Sequence, residues 1–264
     1  MGRISDAMVA AAAEDRAALI IYLCAGDPSL ELTPALIRAA VEGGADIVEL
    51  GMPFSDPTAD GPAIQQASER ALKAGTTLAG LLEAVAQVRA EGCDRPLLLF
   101  GYYNPILAMG ERVLCERAAA AGIDGLLVVD LPMEEAEPLR VVAAAHGLDW
   151  VPLVAPTSGT ERAEQIATTA TGFVYYVSMT GVTGSKAIDL AAAADRAAAL
   201  QTETHKPVAV GFGIRDADDA ALVATKASGV VVGSAVVRTI ARAGRDAPAA
   251  VRAQVAGLAE ACRR

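Results

Sequence analysis

Short apolar runs recur along the chain, and each is followed by a stretch with helical spacing. The runs fall at 19–25, 46–50, 97–100, 125–129, 149–154, 173–177, 207–211 and 229–232. They do not alternate apolar with polar, as expected of strands buried on both faces of a parallel sheet. Helices are predicted from 33 to the Gly43-Gly44 stop and over 62–74, 77–91, 111–121, 134–145, 160–170, 190–201 and 216–226, with more after 232. Tyr102-Tyr103-Asn104-Pro105 reads as a turn. Gly44-Ala45-Asp46, Gly122-Ile123-Asp124 and Gly147-Leu148-Asp149 each close a helix and open a strand. Units recur at roughly 25 to 30 residues, the span of a βα unit. Eight such units in 264 residues predict a single α/β domain, a (β/α)8 barrel, rather than a doubly wound sheet. A short amphipathic helix at 3–16, with Ile4 and Met8 on one side, would plug the barrel from below. No linker, low-complexity run or second domain is visible across 1–264.

In a barrel, function sits on the loops after the strands' C-terminal ends. The distinctive loops are all of that kind. The foremost runs from the strand at 46–50 into Gly51-Met52-Pro53-Phe54-Ser55-Asp56-Pro57-Thr58-Ala59-Asp60-Gly61-Pro62. Pro53, Pro57 and Pro62 each fix φ and remove an amide donor, so this loop is stiff as well as long. Glu49 stands near the strand's end and Asp60 near the far end of the loop. A lone Glu in a strand could face solvent or pair with an Arg, and an Asp before Gly-Pro could be a turn residue. Two carboxylates delivered to one mouth are also the equipment for moving two protons.

Gly211-Phe212-Gly213 follows the seventh strand. Gly233-Ser234 follows the eighth and opens an apolar helix. Glycines let amides approach a ligand, and a helix N-terminus favours an anion, so this pair of loops suits a phosphate, though ordinary turn glycines would look the same. Gly181-Val182-Thr183-Gly184-Ser185 suits a lid that adds donors on closing, or a plain surface loop. No GxGxxG or Walker sequence occurs, which argues against a nucleotide cofactor.

Composition narrows the chemistry further. The net charge is −10, which disfavours nucleic acid as a partner. Cys24, Cys93, Cys115 and Cys262 show no CxxC spacing and read as free thiols of a reducing cytosol. The run 17–25 is too short to span a bilayer, and the N-terminus lacks a signal-peptide pattern, so a soluble cytoplasmic protein is expected. Only His146 and His205 are present, which leaves no metal-ligand cluster. Lys73, Lys186, Lys206 and Lys226 fall outside strand interiors, where a Schiff-base lysine would sit.

The string Glu49-Leu50-Gly51-Met52-Pro53-Phe54-Ser55-Asp56-Pro57-Thr58-Ala59-Asp60-Gly61-Pro62 closely resembles the signature of the tryptophan synthase alpha subunit family. Similarity continues through Tyr102-Tyr103-Asn104-Pro105, Val129-Asp130-Leu131-Pro132, Ser178 to Gly184, Val210 to Ile214 and Val232 to Ala235, and so covers essentially the whole chain. The resemblance implies a (β/α)8 lyase that cleaves indole-3-glycerol phosphate to indole and glyceraldehyde 3-phosphate. It implies Glu49 as the acid at indole C3 and the base at the side-chain hydroxyl, with Asp60 on the indole N–H. Burial would keep Glu49 neutral, and a wetter loop would keep Asp60 ionised. Tyr175 would hydrogen-bond the reacting side chain, and Thr183 would tie the closed lid to Asp60. Gly184, Gly213, Gly233 and Ser234 would hold the phosphate, and Tyr22, Leu99, Leu126 and Phe212 would sandwich the indole. The family commonly carries Phe at position 22, so Tyr22 adds a hydroxyl that needs a partner.

The resemblance also implies a beta subunit as partner, in an α2β2 heterotetramer, with indole passed to it. Pro53, Phe54, Asp56, Pro57 and Asn104 would face that subunit. Pyridoxal phosphate would belong to the partner and no cofactor to this chain. Two other readings stay open. The chain could serve mainly as a binding subunit that activates a partner enzyme, or it could be a stand-alone indole-releasing lyase with the same site.

Overall fold

The computed structural model describes residues 2–178 and 189–264. Nine strand segments form one parallel sheet: β1 (Ala18–Cys24), β2 (Ile47–Gly51), β3 (Leu97–Gly101), β4 (Gly125–Val128), β5 (Asp149–Trp150), β6 (Leu153–Val154), β7 (Val174–Val177), β8 (Val208–Gly211) and β9 (Gly229–Val232). The sheet order is β5-β4-β3-β2-β1-β9-β8-β7-β6. The predicted strand 149–154 is two pieces because Pro152 has no amide to give to the ladder. The chain across the break still bridges both neighbours. Val151 N donates to the Leu126 carbonyl at 3.0 Å, and the Pro152 carbonyl accepts from Tyr175 N at 2.9 Å. The interrupted strand therefore closes the ring, and the eight-unit barrel follows.

Helices α1 (Arg3–Ala13), α2 (Thr33–Glu42), α3 (Pro62–Lys73) and α4 (Leu78–Ala90) lie in the first half. They are followed by α5 (Tyr103–Met109), α6 (Glu111–Ala121), α7 (Glu137–Ala145) and α8 (Thr160–Thr168). The last four described helices are α9 (Leu190–Thr204), α10 (Ala217–Ala224), α11 (Ser234–Ala243) and α12 (Ala247–Ala261). The Tyr102–Pro105 segment is not a turn. It opens α5, because Pro105 lies in the first helical turn, where no amide donor is required. None of the described helices is long and apolar enough to cross a membrane.

The uninterrupted apolar strands are explained by two buried layers. Leu19, Ile21 and Leu23 of β1 face the helices, while Ile20, Tyr22 and Cys24 face the barrel interior. Ile4 and Met8 of α1 join the interior layer, so the first helix does plug the barrel.

Two of the three Gly-x-Asp junctions are staples at the barrel's lower rim. Asp46 Oδ2 accepts from Leu19 N at 2.8 Å and is paired with Arg16. Asp124 Oδ2 accepts from Leu97 N at 2.8 Å, and the same carboxylate binds Arg89 and Arg3. Each Asp also donates its own amide to the neighbouring strand, Asp46 to the Leu19 carbonyl and Asp124 to the Leu97 carbonyl. The aspartate thus extends the ladder past its last strand pair and neutralises a half-buried arginine. Asp149 departs from the pattern: Thr171 Oγ1 takes the nearby Trp150 amide at 2.7 Å.

Asp124→Ala would leave the Leu97 amide and the Arg89 guanidinium short of a buried acceptor. A loss of about 3 kcal/mol is expected in denaturant unfolding. Asp124→Asn, which keeps an accepting oxygen, is expected to lose less.

Candidate active site

The β2 sequence Ile-Val-Glu-Leu-Gly alternates its faces, and Glu49 takes an inward position between Ile47 and Gly51. Its cross-strand neighbours are Tyr22 on β1 and Leu98 on β3. Glu49 is 0% exposed, and neither carboxyl oxygen has a hydrogen-bond partner among the described residues. Burial alone pushes its pKa up to about 8. A strand carboxyl that is neither solvated nor paired has little use in a fold and much use as an acid.

Asp60 ends the Pro-rich loop, just before α3. It is buried rather than wet, at 4% exposure. Burial raises its pKa to about 6, and a hydrogen bond from Tyr102 opposes the rise. The Tyr102 hydroxyl donates to Asp60 Oδ2 at 3.0 Å and accepts from Ala59 N at 2.9 Å. Gln65 on α3 donates to the Asp60 carbonyl at 2.9 Å, closing the loop back onto the helix that follows it. The two acids are thus held apart in acidity, though not for the expected reason. Near neutral pH Glu49 is mostly protonated, and Asp60, with one donor, is mostly ionised.

Glu49 and Asp60 line one small cavity of about 30 Å³, together with Tyr22, Ile64, Phe100, Tyr175, Phe212, Gly213, Gly233 and Ser234. Two tyrosines reach across missing side chains. A Cβ on Gly51 would lie 2.1 Å from the Tyr22 hydroxyl, and one on Gly211 would lie 2.0 Å from the Tyr175 hydroxyl. Any residue with a side chain at either place would expel the tyrosine from the cavity wall. The rings pack edge to face, Tyr22 on Phe100 at 5.2 Å and Tyr175 on Phe212 at 6.2 Å. Burial raises both phenols well above their ordinary range, so they act as neutral hydroxyls.

The cavity shares Ile64, Phe212, Gly213 and Ser234 with an open cleft of about 1610 Å³. At this boundary α11 begins at Ser234, with Gly233 before it. The first amides of α11 have no partner within the helix and carry the positive end of its dipole. Gly213 faces the same place from the end of β8. An anionic group would find amide donors here, and an apolar ring would find the tyrosine and phenylalanine walls.

Leu99 and Leu126 do not reach this cavity. Both lie in the layer between barrel and helices, and their neighbours Phe100 and Leu127 take the inward positions. Strand side chains alternate, so a register error of one residue moves a side chain to the opposite face. Thr183 and Gly184 lie outside the described residues. On the rim, Phe54 stacks on Tyr102 with centroids 5.1 Å apart. Pro53, Phe54 and Pro57 are partly exposed there, and Asp56 and Asn104 are exposed.

The residues that sequence reasoning missed are Tyr102 as the donor to Asp60, Gln65 as the loop clamp, and Phe100 as the aromatic wall. The inward position of Glu49 pairs it with Leu98, which makes Phe100 the next inward residue of β3. The register that sets this parity lies in the pairing of β2 with β3 in space, which periodicity does not supply. Among the described residues no group of three or more His, Cys, Asp or Glu side chains could hold a metal ion.

A sequence model of the tryptophan synthase alpha chain family matches residues 8–263. A tryptophan synthase alpha chain from Laribacter hongkongensis is 48% identical over 261 residues, covering 99% of both chains. One from Nitrosococcus oceani is 50% identical over 240 residues, covering 91% of this chain and 89% of the relative. The crystal structure of tryptophan synthase subunit alpha from Legionella pneumophila superimposes with a TM-score of 0.90 at 37% identity, covering 99% of this chain and 98% of that one. With sequence and backbone in agreement over nearly every residue, the chain belongs to the tryptophan synthase alpha chain family.

Proposed function

We propose that this chain cleaves indole-3-glycerol phosphate to indole and glyceraldehyde 3-phosphate, a retro-aldol reaction, as the alpha subunit of tryptophan synthase. The observation that carries the proposal is the Glu49 carboxyl, without a partner among the described residues, fully buried in an apolar barrel and opening on the same cavity as Asp60. Glu49 is held in its acid form near neutral pH, ready to give a proton to indole C3. The new C3–H bond leaves positive charge on the ring toward N1. The Asp60 carboxylate accepts the N1–H hydrogen bond and stabilises that charge, with Tyr102 fixing its orientation. The Glu49 carboxylate then takes the proton of the side-chain hydroxyl. The O–H electrons form the aldehyde carbonyl as the carbon–carbon bond breaks, and its electron pair restores the aromatic indole. Glu49 ends protonated, as it began.

The ring would lie among Tyr22, Phe100, Tyr175 and Phe212, with the Tyr175 hydroxyl toward the glycerol chain. The phosphate would meet Gly213, Gly233 and Ser234 at the start of α11. The partly exposed Pro53–Phe54 edge, Asp56, Pro57 and Asn104 would receive a beta subunit that takes up the indole, in an α2β2 assembly. Phe54 stacked on Tyr102, itself bonded to Asp60, gives that docking surface a direct contact with the site. Pyridoxal phosphate belongs to the partner in this reading, no cofactor to this chain, and both would work in the cytoplasm.

Purified chain, assayed for indole release with and without a beta subunit, tests the proposal. Glu49→Gln and Asp60→Asn are each expected to lose at least about 10²-fold in rate. Release that survives Glu49→Gln would refute the assignment. The pH profile of kcat/KM is expected to be bell-shaped, falling below about 6 as Asp60 protonates and above about 8 as Glu49 ionises. Asp60→Asn should remove the acid limb.

Stability carries the same signature. Glu49 binds its proton more tightly folded than unfolded, so between its ordinary value of 4.5 and about 8 the folded chain loses stability as pH rises. The loss is at most about 1.4 kcal/mol per pH unit. Denaturant unfolding of Glu49→Gln is expected to show a variant that gains on the parent across that window.

A further inference from the structure

Ser178 follows the last residue of β7, where the sheet ladder stops. The β7–β8 register ends with Val177 beside Gly211, so among the described residues no strand pairing holds the chain beyond Gly211. There Phe212 adopts φ +72° and Gly213 φ +85°. A left-handed backbone is unfavourable for a phenylalanine and persists only where its surroundings hold it. Among the described residues, Ser178 grips this backbone. Its amide donates to the Gly211 carbonyl at 3.0 Å. Its hydroxyl lies against that same carbonyl at 2.9 Å and against the Phe212 carbonyl. A hydroxyl has one proton, so the two carbonyls share it in a three-centre bond.

The consequence follows from the peptide unit, which is planar and trans. The C=O and the next N–H of one unit point in opposite directions. With the Phe212 carbonyl turned onto Ser178, the Gly213 N–H turns away from it. Gly213 lines both the small cavity and the larger cleft, where α11 begins. We propose that Ser178 is a positioning residue of the phosphate pocket: its hydroxyl fixes the Gly211–Phe212–Gly213 backbone so that the Gly213 amide faces the bound phosphate. This inference rests on reading the Gly213–Ser234 boundary as a phosphate site. Ser178 itself need not touch the ligand.

Calorimetric titration of the chain with glycerol 3-phosphate and, separately, with indole tests it, alongside steady-state kinetics. Ser178→Ala is expected to bind glycerol 3-phosphate about tenfold more weakly and to raise KM for indole-3-glycerol phosphate by a similar factor. Affinity for indole and kcat should stay within about twofold, because the ring walls and the two acids are untouched. Ser178→Thr, which restores a hydroxyl, should recover most of the phosphate affinity and covers the case in which the alanine variant fails to fold. Unchanged glycerol 3-phosphate affinity in Ser178→Ala would overturn the proposal, as would equal weakening of both ligands or a threonine variant as poor as the alanine one. A parent chain that binds no glycerol 3-phosphate would overturn the phosphate reading itself, and this proposal with it.

Discussion

The arrangement of the site depends on the burial of one carboxyl without a partner. Glu49 sits in the barrel interior between cross-strand neighbours Tyr22 and Leu98, and no donor among the described residues reaches its oxygens. Ionising it there would cost far more than ionising it in water, so the proton stays on. The rest of the barrel supplies what a single acid lacks. Asp60 arrives on a rigid loop with one phenolic donor that lowers its pKa relative to a bare buried carboxyl. The same kind of side chain therefore holds two acidities in one cavity, set by the fuller burial of Glu49 and by the one hydrogen bond that Asp60 receives.

The fold allows this because its stability comes from elsewhere. The interior and outer apolar layers form the core. At the opposite rim, Asp46 and Asp124 are paired with arginines and with strand amides. There Asp46 and Asp124 are satisfied and structural. At the upper end one is left unsatisfied, and close approach there depends on glycines: Gly51 admits Tyr22 and Gly211 admits Tyr175. The aromatic walls and the acid are therefore positioned by backbone spacing more than by polar networks.

Much of this was legible in the sequence. The recurrence of apolar runs pointed to the barrel, and the Pro-rich segment marked the two acids that the fold brings to one cavity. Strand 149–154 was read whole, although Pro152 divides its ladder. What periodicity could not give was parity. In strands apolar on both faces nothing marks which residues point inward, and the resemblance put Leu99 and Leu126 at the ring, whereas Phe100 and Leu127 take the inward positions. The start of α5 was hidden because Tyr-Tyr-Asn-Pro has the composition of a turn, and with it the role of Tyr102. Asp60 was expected to be wet, since loop residues usually are; its burial comes from the packing of α3 and Tyr102 around it. The Gly-x-Asp junctions were visible as rhythm, but their function as staples needs the neighbouring strand in space.

The measurement that bears most directly on this account is the titration of Glu49 itself. Isotope-edited infrared spectroscopy of the chain, with Glu49→Gln as the difference reference, reads the protonated carboxyl band against pH. A band that persists through pH 7 and titrates near 8 is expected. A Glu49 carboxyl that titrates near its ordinary value of 4.5 would contradict it, because an acid ionised at neutral pH could not begin the reaction.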